Sequence, residues 1–259
     1  MDIPNLEPYL PATCRQVPPL GDDLVGISAT YRITYEETLR HLLFRKDCPL
    51  VPLTVSPGVR RNFVWLAGHG MLHDQPENYG PRRLYRGAIV GQCLGREEER
   101  RRDLFCGDTG RTLRRLLAGS GLRSAEEIYL TSLVKTVLLD KGKIKAGWIK
   151  QQATVLTIEI LFARPRYVLA LGTEAAKFFF GKQKFTLQGS EGRWWPICWD
   201  LRQSADEEKT AENQYEFLLM PCMNPAVLEF EQTPENAERI KRVVGSFVST
   251  LDNNSPTGV

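Results

Sequence analysis

The sequence predicts an α/β fold: a single domain with a central four-stranded parallel sheet flanked by helices. Three observations lead there. Beyond residue 85, short apolar runs alternate with amphipathic helical patterns, as expected of parallel strands covered on both faces. The 259 residues are 42% hydrophobic and 25% charged, a globular balance with enough apolar material for a core. No stretch reaches the ~18 consecutive apolar residues of a membrane-spanning helix.

Residues 1–85 are expected to form an irregular, partly helical extension packed on the core. They hold most of the prolines, from Pro4 to Pro81, and one short helical pattern from Tyr35 to Phe44. The core is expected over 86–251. Arg86 to Gln92 (RGAIVGQ) reads as a buried strand running into a glycine-containing turn. In TGRTLRRLLAGSG, Leu113, Leu116 and Leu117 share one helix face, and Gly119 and Gly121 supply a stop. Glu127 to Thr136 is the second strand, and Trp148 to Phe162 a longer amphipathic helix ending near Pro165. RYVLALG is the third strand. TEAAKFFFG follows as a helix, with Thr173 as N-cap and Gly181 beyond its end. Tyr215 to Pro221 is the fourth strand, PENAERIKRVVGSFVSTL the closing helix, and 252–259 a frayed tail. Ligands of such sheets bind outside the carboxyl ends of the strands, so the loops after Gln92, Val134 and Met220 should build the site.

Charge and cysteines say less. A net charge of +3, from 34 basic and 31 acidic residues, selects no partner. The N-terminus lacks a basic stretch followed by an apolar run, and the six cysteines contain no CxxC pair. A reduced, cytoplasmic, monomeric protein with no membrane association is the expectation. His69 and His73 have metal-ligand spacing but no third ligand nearby, so no metal is expected. That stretch reads better as a lid helped by Trp65 and Tyr79.

Gly91 to Leu117 (GQCLGREEERRRDLFCGDTGRTLRRLL) is the informative segment. Glycines after a strand let backbone N–H groups approach a polar ligand. An acidic run, Glu97 to Glu99, meets a basic run, Arg100 to Arg102, and Phe105 stands alone before Gly107. Neither the P-loop nor the dinucleotide glycine spacing is present.

This segment resembles the uracil-DNA glycosylase superfamily, whose pattern runs roughly GEAPG-EEED-xxGRPF-VG-xAG-xLLxxLL. Gly91, Gly95, Glu97, Glu98, Phe105, Gly107, Gly110, Leu113, Leu116 and Leu117 carry the likeness. YLTSLVKT is similar to the family's YITNVVKCRP, ARPRYVLALGTEAAKFFFG to its RPRVIVALGRTAAQALLG, and LLMPCMNPAVL to its PTYHPSxLL. The likeness spans about Gly87 to Phe247. It implies a glycosylase-like α/β/α core that flips a nucleotide out of DNA into a pocket.

By that resemblance, Phe105 stacks on the base, Ser132 holds the base-reading position of an Asn, and Asn224 stands where the family has His. Gln92, Glu98 and Asn224 are the expected catalytic residues, and Cys93, Phe105, Ser132 and Asp108 are expected at the base. Gly91, Gly95, Arg96, Arg100, Arg101, Arg102, Lys135, Lys143, Lys145 and Leu228 are expected at the DNA, where Lys141 and Lys150 also fall; basic groups supply phosphate contacts. Each has a bland counterpart: a core aromatic for Phe105, solvated faces for the charge runs, turn chemistry for Asn224-Pro225, and a helix cap for Asp108.

The departures matter more. The family Glu is Gln92, the water-orienting Asp of the related GQDPYH version is Cys93, the motif proline is Leu94, Asn becomes Ser132, and His becomes Asn224. The six cysteines do not match the four-cysteine iron–sulfur framework of the thermophilic branch, so no cofactor is expected. The favoured reading is a monofunctional glycosylase for a modified base, such as a bulky phage-type modified cytosine, in repair or anti-phage defence. A uracil or hypoxanthine glycosylase of base excision repair and a catalytically silent DNA-binding module stay open, as does an interaction protein without DNA affinity.

Overall fold

The computed structural model describes residues 68–71, 85–137, 149, 156–157, 159–161, 163–181, 184–200, 214–230 and 233–253. Tyr35 to Phe44, Trp65, His73, Tyr79, Lys141, Lys143, Lys145 and Lys150 lie outside the described residues.

The strands are β1 (His69–Gly70), β2 (Gly87–Leu94), β3 (Ile128–Val137), β4 (Tyr167–Leu171), β5 (Trp195–Asp200) and β6 (Gln214–Cys222). Their spatial order is β1-β3-β2-β4-β6-β5. The inner four, β3-β2-β4-β6, are parallel and coincide with the four apolar runs of the sequence. β4 is buried at all five positions, which is why it reads as an unbroken apolar run rather than an alternation. The two margins are antiparallel: β1 on β3 and β5 on β6. They make the sheet six-stranded rather than four-stranded.

The helices are α1 (Arg96–Arg101), α2 (Asp108–Gly119), α3 (Thr173–Phe180), α4 (Leu187–Ser190), α5 (Val227–Phe230) and α6 (Pro234–Asn253). Residues 149, 156–157 and 159–161 are helical as well, within the stretch read as a long amphipathic helix, and residue 163 is helical one position beyond it. Gly172 caps α3, and Thr173, expected there, is the helix's first residue.

Side chains alternate across the sheet. Ala88, Val90, Val168 and Ala170 pack with Leu156, Ile160 and Phe179 on one face. Ile89, Leu130, Leu169 and Met220 pack with Leu113, Leu117, Val244 and Phe247 on the other. Trp199 of β5 is fully buried, 6.1 Å from the stacked Phe179 ring and 5.3 Å from the edge-on Phe217 ring. Burying an aromatic of this size contributes about 2–3 kcal/mol, so β5 belongs to the core despite lying at the margin.

β2 is the first parallel strand, with β3 on one side and β4 on the other. The chain reverses its winding there, and the carboxyl ends of β2, β4 and β6 lie side by side, at the end of the sheet where such folds bind ligands.

Candidate functional site

β2 continues past Gln92 to Leu94, with a register shift between Cys93 and Leu94. The strand expected to end at Gln92 therefore runs two residues further. The Gln92 side chain packs against Gly172, just past the end of β4. Gly172, at φ +92, leaves room for it: a Cβ there would stand 2.7 Å from Gln92 Cδ. Asn224 Nδ2 donates to Gln92 Oε1 at 3.2 Å, joining the loop after β6 to the end of β2. Asn224 Oδ1 accepts from the Ala226 N–H at 3.0 Å, an Asx turn across Pro225. The turn role and the site position of Asn224 thus coexist.

Phe105 sits in a left-handed backbone conformation, φ +54, which costs a non-glycine residue about 1–2 kcal/mol. The surroundings hold it there. Gly110 has no side chain to collide with the Phe105 carbonyl, and Arg111 donates to the Cys106 carbonyl at 3.0 Å. The half-buried Phe105 ring rests on β2 at Gly91, where a Cβ would stand 3.0 Å from Cζ. Gly91 is needed for this close approach. Such a locked outlier is what a pre-organised ligand contact requires.

Glu98 is the inward residue of α1, 9% exposed, while its neighbours face solvent or the rim. Its Oε1 accepts from the Gly107 N–H at 3.1 Å, and its other oxygen crowds Gly95. Burial, reinforced by the Glu98 charge, pushes the Cys93 and Cys106 thiols up to about 11 each. Neither is a thiolate near neutral pH, so Cys93 is a small neutral neighbour of the site rather than a nucleophile.

Ser132 lies beside Gly91 in register and is 2% exposed. Its hydroxyl donates to the Val134 carbonyl at 3.0 Å, which leaves acceptor capacity on Oγ. Asp108, expected at the base, is instead 73% exposed and paired with Arg111 on the surface of α2.

Of the expected DNA contacts, Arg96, Arg100, Arg101 and Arg102 are exposed on or just after α1. Arg100 and Arg101 share Glu97, at 2.7 and 3.0 Å, in exposed ion pairs that contribute little stability and can open toward phosphates. Lys135 is a correction. It is 0% exposed and ion-paired with Glu159, with Thr131 bonded to both, so it cannot reach a phosphate. Burial drives its ammonium pKa down, and the Glu159 charge opposes that. Lys135 lies on the same face of β3 as Thr131 and Leu133, and both faces of that strand are buried here. Leu228 is half-buried against the core, whereas Phe230, two residues on, is 84% exposed. Glu229 accepts from Thr109 Oγ1 at 2.6 Å, fastening α5 to the start of α2 near the Phe105 turn.

The sequence reading also missed a clamp behind Asn224. Glu191, its side chain 6% exposed, accepts from the Met223 N–H at 2.7 Å and from Arg239 of α6 at 2.6 Å. A single acidic residue in a loop carries no signal in sequence that it grips a neighbouring loop. Among the described residues no three His, Cys, Asp or Glu side chains converge to hold a metal, and no helix is long and apolar enough to cross a membrane.

Comparison with known proteins bears on this arrangement. The family model described as "Uracil DNA glycosylase superfamily" matches residues 78–245. A type-4 uracil-DNA glycosylase of Archaeoglobus fulgidus is 29% identical over 112 residues, which is 42% of this chain and 56% of that relative. The chain thus aligns with little more than half of the relative's length. The extent of the family match, together with the parallel sheet and the Phe105 turn it encloses, places this chain in the uracil-DNA glycosylase superfamily.

Proposed function

We propose that this chain is a monofunctional DNA glycosylase that hydrolyses the N-glycosidic bond of a flipped-out base and leaves an abasic site. The observation that carries the reading is the Phe105 ring held on Gly91, one residue from the Gln92 that Asn224 grips. A ring and a fixed amide donor anchored at successive residues of one strand end suit a planar, polar-edged ligand taken out of its stack.

The residues divide the work as follows. Phe105 stacks on the extruded base. Asn224 has two amide hydrogens and commits one to Gln92, so the other donates to a base carbonyl as negative charge builds on the leaving group. Gln92 fixes the orientation of that amide. Glu98 stabilises positive charge on the sugar and orients the attacking water. Lys135 is locked to Glu159 inside the core, so no described lysine is poised to form a Schiff base, and water is the nucleophile.

The base is a modified one rather than plain uracil. Ser132 spends its proton on Val134 and offers an acceptor, which suits an exocyclic amino group such as that of cytosine better than a uracil carbonyl. A serine, shorter than the Asn of the family's motif, suits a base bulkier than uracil, such as one of the phage type, consistent with a defence role. Duplexes carrying uracil, hypoxanthine, hydroxymethylcytosine or glucosylated cytosine, assayed for alkali-labile sites and for the freed base by mass spectrometry, test this. Release of a modified cytosine supports it, and exclusive release of uracil shifts the assignment to base excision repair. Salt-sensitive DNA binding with no base released from any duplex leaves the silent module, which the uncharged Gln92–Asn224 pair also suits.

A further inference from the structure

We infer that His69, which precedes the residues matched by the family, is a positioning residue that holds the Phe105 turn in its working conformation. The inference rests on the reading of Phe105 as the stacking ring.

The segment 68–71 is fastened at both ends. Gly68 N–H donates to Glu159 Oε1 at 2.8 Å, so the buried carboxylate that balances Lys135 also anchors this segment. Gly68 lies so close to the Tyr129 ring that any side chain there would overlap it. His69 and Gly70 pair with Leu130 and Tyr129, and Met71 N–H donates to the Ile128 carbonyl at 2.8 Å.

Two side chains meet across the turn, His69 from this margin and Arg114 from α2. His69 is 2% exposed, and its Nδ1–H donates to the Gly70 carbonyl at 2.8 Å. That bond leaves Nε2 facing the turn, where the neutral ring accepts the Leu104 N–H at 3.3 Å, one residue before Phe105, and the protonated ring instead donates to Asp103 Oδ1 at 3.2 Å; either bond ties His69 to the residues just before Phe105. Arg114 of α2 closes the other side, donating to the Met71 carbonyl at 3.3 Å and the Phe105 carbonyl at 3.5 Å. A left-handed residue relaxes unless its neighbours are held. His69 holds Leu104, and Arg114 ties the Phe105 carbonyl to the same marginal strand.

The test uses the full chain on its best duplex substrate. His69→Ala is expected to lower base release at least about 10-fold, through kcat more than KM, because a displacement near 1 Å is worth up to about 100-fold. His69→Gln, whose Oε1 can accept from Leu104, should restore most of it. In a Phe105→Ala background His69→Ala should cost less than about 2-fold, since coupled residues are not additive. Equal losses with and without the Phe105 ring would overturn the inference. Should His69→Ala not fold, Arg114→Ala carries the same cycle. Hydrogen exchange separates this inference from the glycosylase reading. If no duplex yields a base, that reading fails by itself. Leu104 amide protection lost in His69→Ala then sustains the positioning role, and unchanged protection refutes it.

Discussion

Replacing Gly172 by Ala separates the cost of a strained backbone from the cost of a displaced site. Gly172 has φ +92, where an alanine is disfavoured by about 1–2 kcal/mol. In a domain of this size each kcal/mol lowers Tm by about 2–4 °C, so a fall of about 2–8 °C is expected. The new Cβ would also stand 2.7 Å from Gln92 Cδ and 2.7 Å from Nε2, well inside contact distance. Gln92 has to move, and the 3.2 Å bond from Asn224 breaks or re-forms off line. Loss of one oriented amide donor costs about 10²–10³-fold in kcat, so base release should drop by that order under conditions where the variant remains folded. Gln92→Ala should mimic the catalytic loss without the thermal one. Lowered Tm with undiminished base release by Gly172→Ala would refute the claim that the Gln92–Asn224 pair acts in chemistry.

Four further outcomes can be checked directly. Phe230→Ala should weaken base release from duplex about 10-fold while sparing single-stranded substrate, because an exposed aromatic at the rim can fill the gap left by a flipped base; comparing the two substrates decides it. Glu191→Ala removes the acceptor of the Met223 N–H and the partner of Arg239, and should lower both stability, by about 2–3 kcal/mol in urea unfolding, and turnover. Lys135→Ala strands the Glu159 charge in the core and should cost about 3–5 kcal/mol, with no loss of DNA affinity in whatever fraction stays folded. Cys93 and Cys106 keep their protons up to about 11 in the folded state, above the ordinary thiol value. Their contribution to stability is therefore full below the unfolded thiol pKa, about 8.5, and is lost as pH rises through about 11; Cys93→Ala with Cys106→Ala should flatten that alkaline decline.

The four parallel strands were legible because each is buried on both faces and stands out as an apolar run. The margins were not. β1 has two residues, too few to establish a period. β5 does alternate, with Ile197 and Trp199 inward and Cys198 outward, but Pro196 argues against a strand in any interior position and hides it. At the site, Gln92, Phe105 and Asn224 could be singled out because the order of the motifs survives in sequence, although Gln92 and Asn224 differ in type from the family's residues. The packing role of the glycines was not legible: Gly91 and Gly172 make room for side chains from distant segments, which no local pattern encodes. Glu98 differs from Glu97 and Glu99 only in the direction it faces on α1, and a run of three identical letters cannot show which turns inward. Lys135 was misplaced because a lysine near the end of a strand looks like a rim charge, while the partner that makes it an interior residue, Glu159, is 24 positions away. His69 was noticed for its spacing to His73, but its contacts are to Leu104 and Asp103.

The outer strands also bear on self-association. A sheet grows by offering unpaired backbone groups along an edge to another chain. Here one border is two residues long, and the other carries Pro196, which has no amide hydrogen to offer a newcomer. Concentrated solutions should accordingly resist cross-chain strand addition, and exchanging Pro196 for Val would be the simplest way to invite fibril-type stacking.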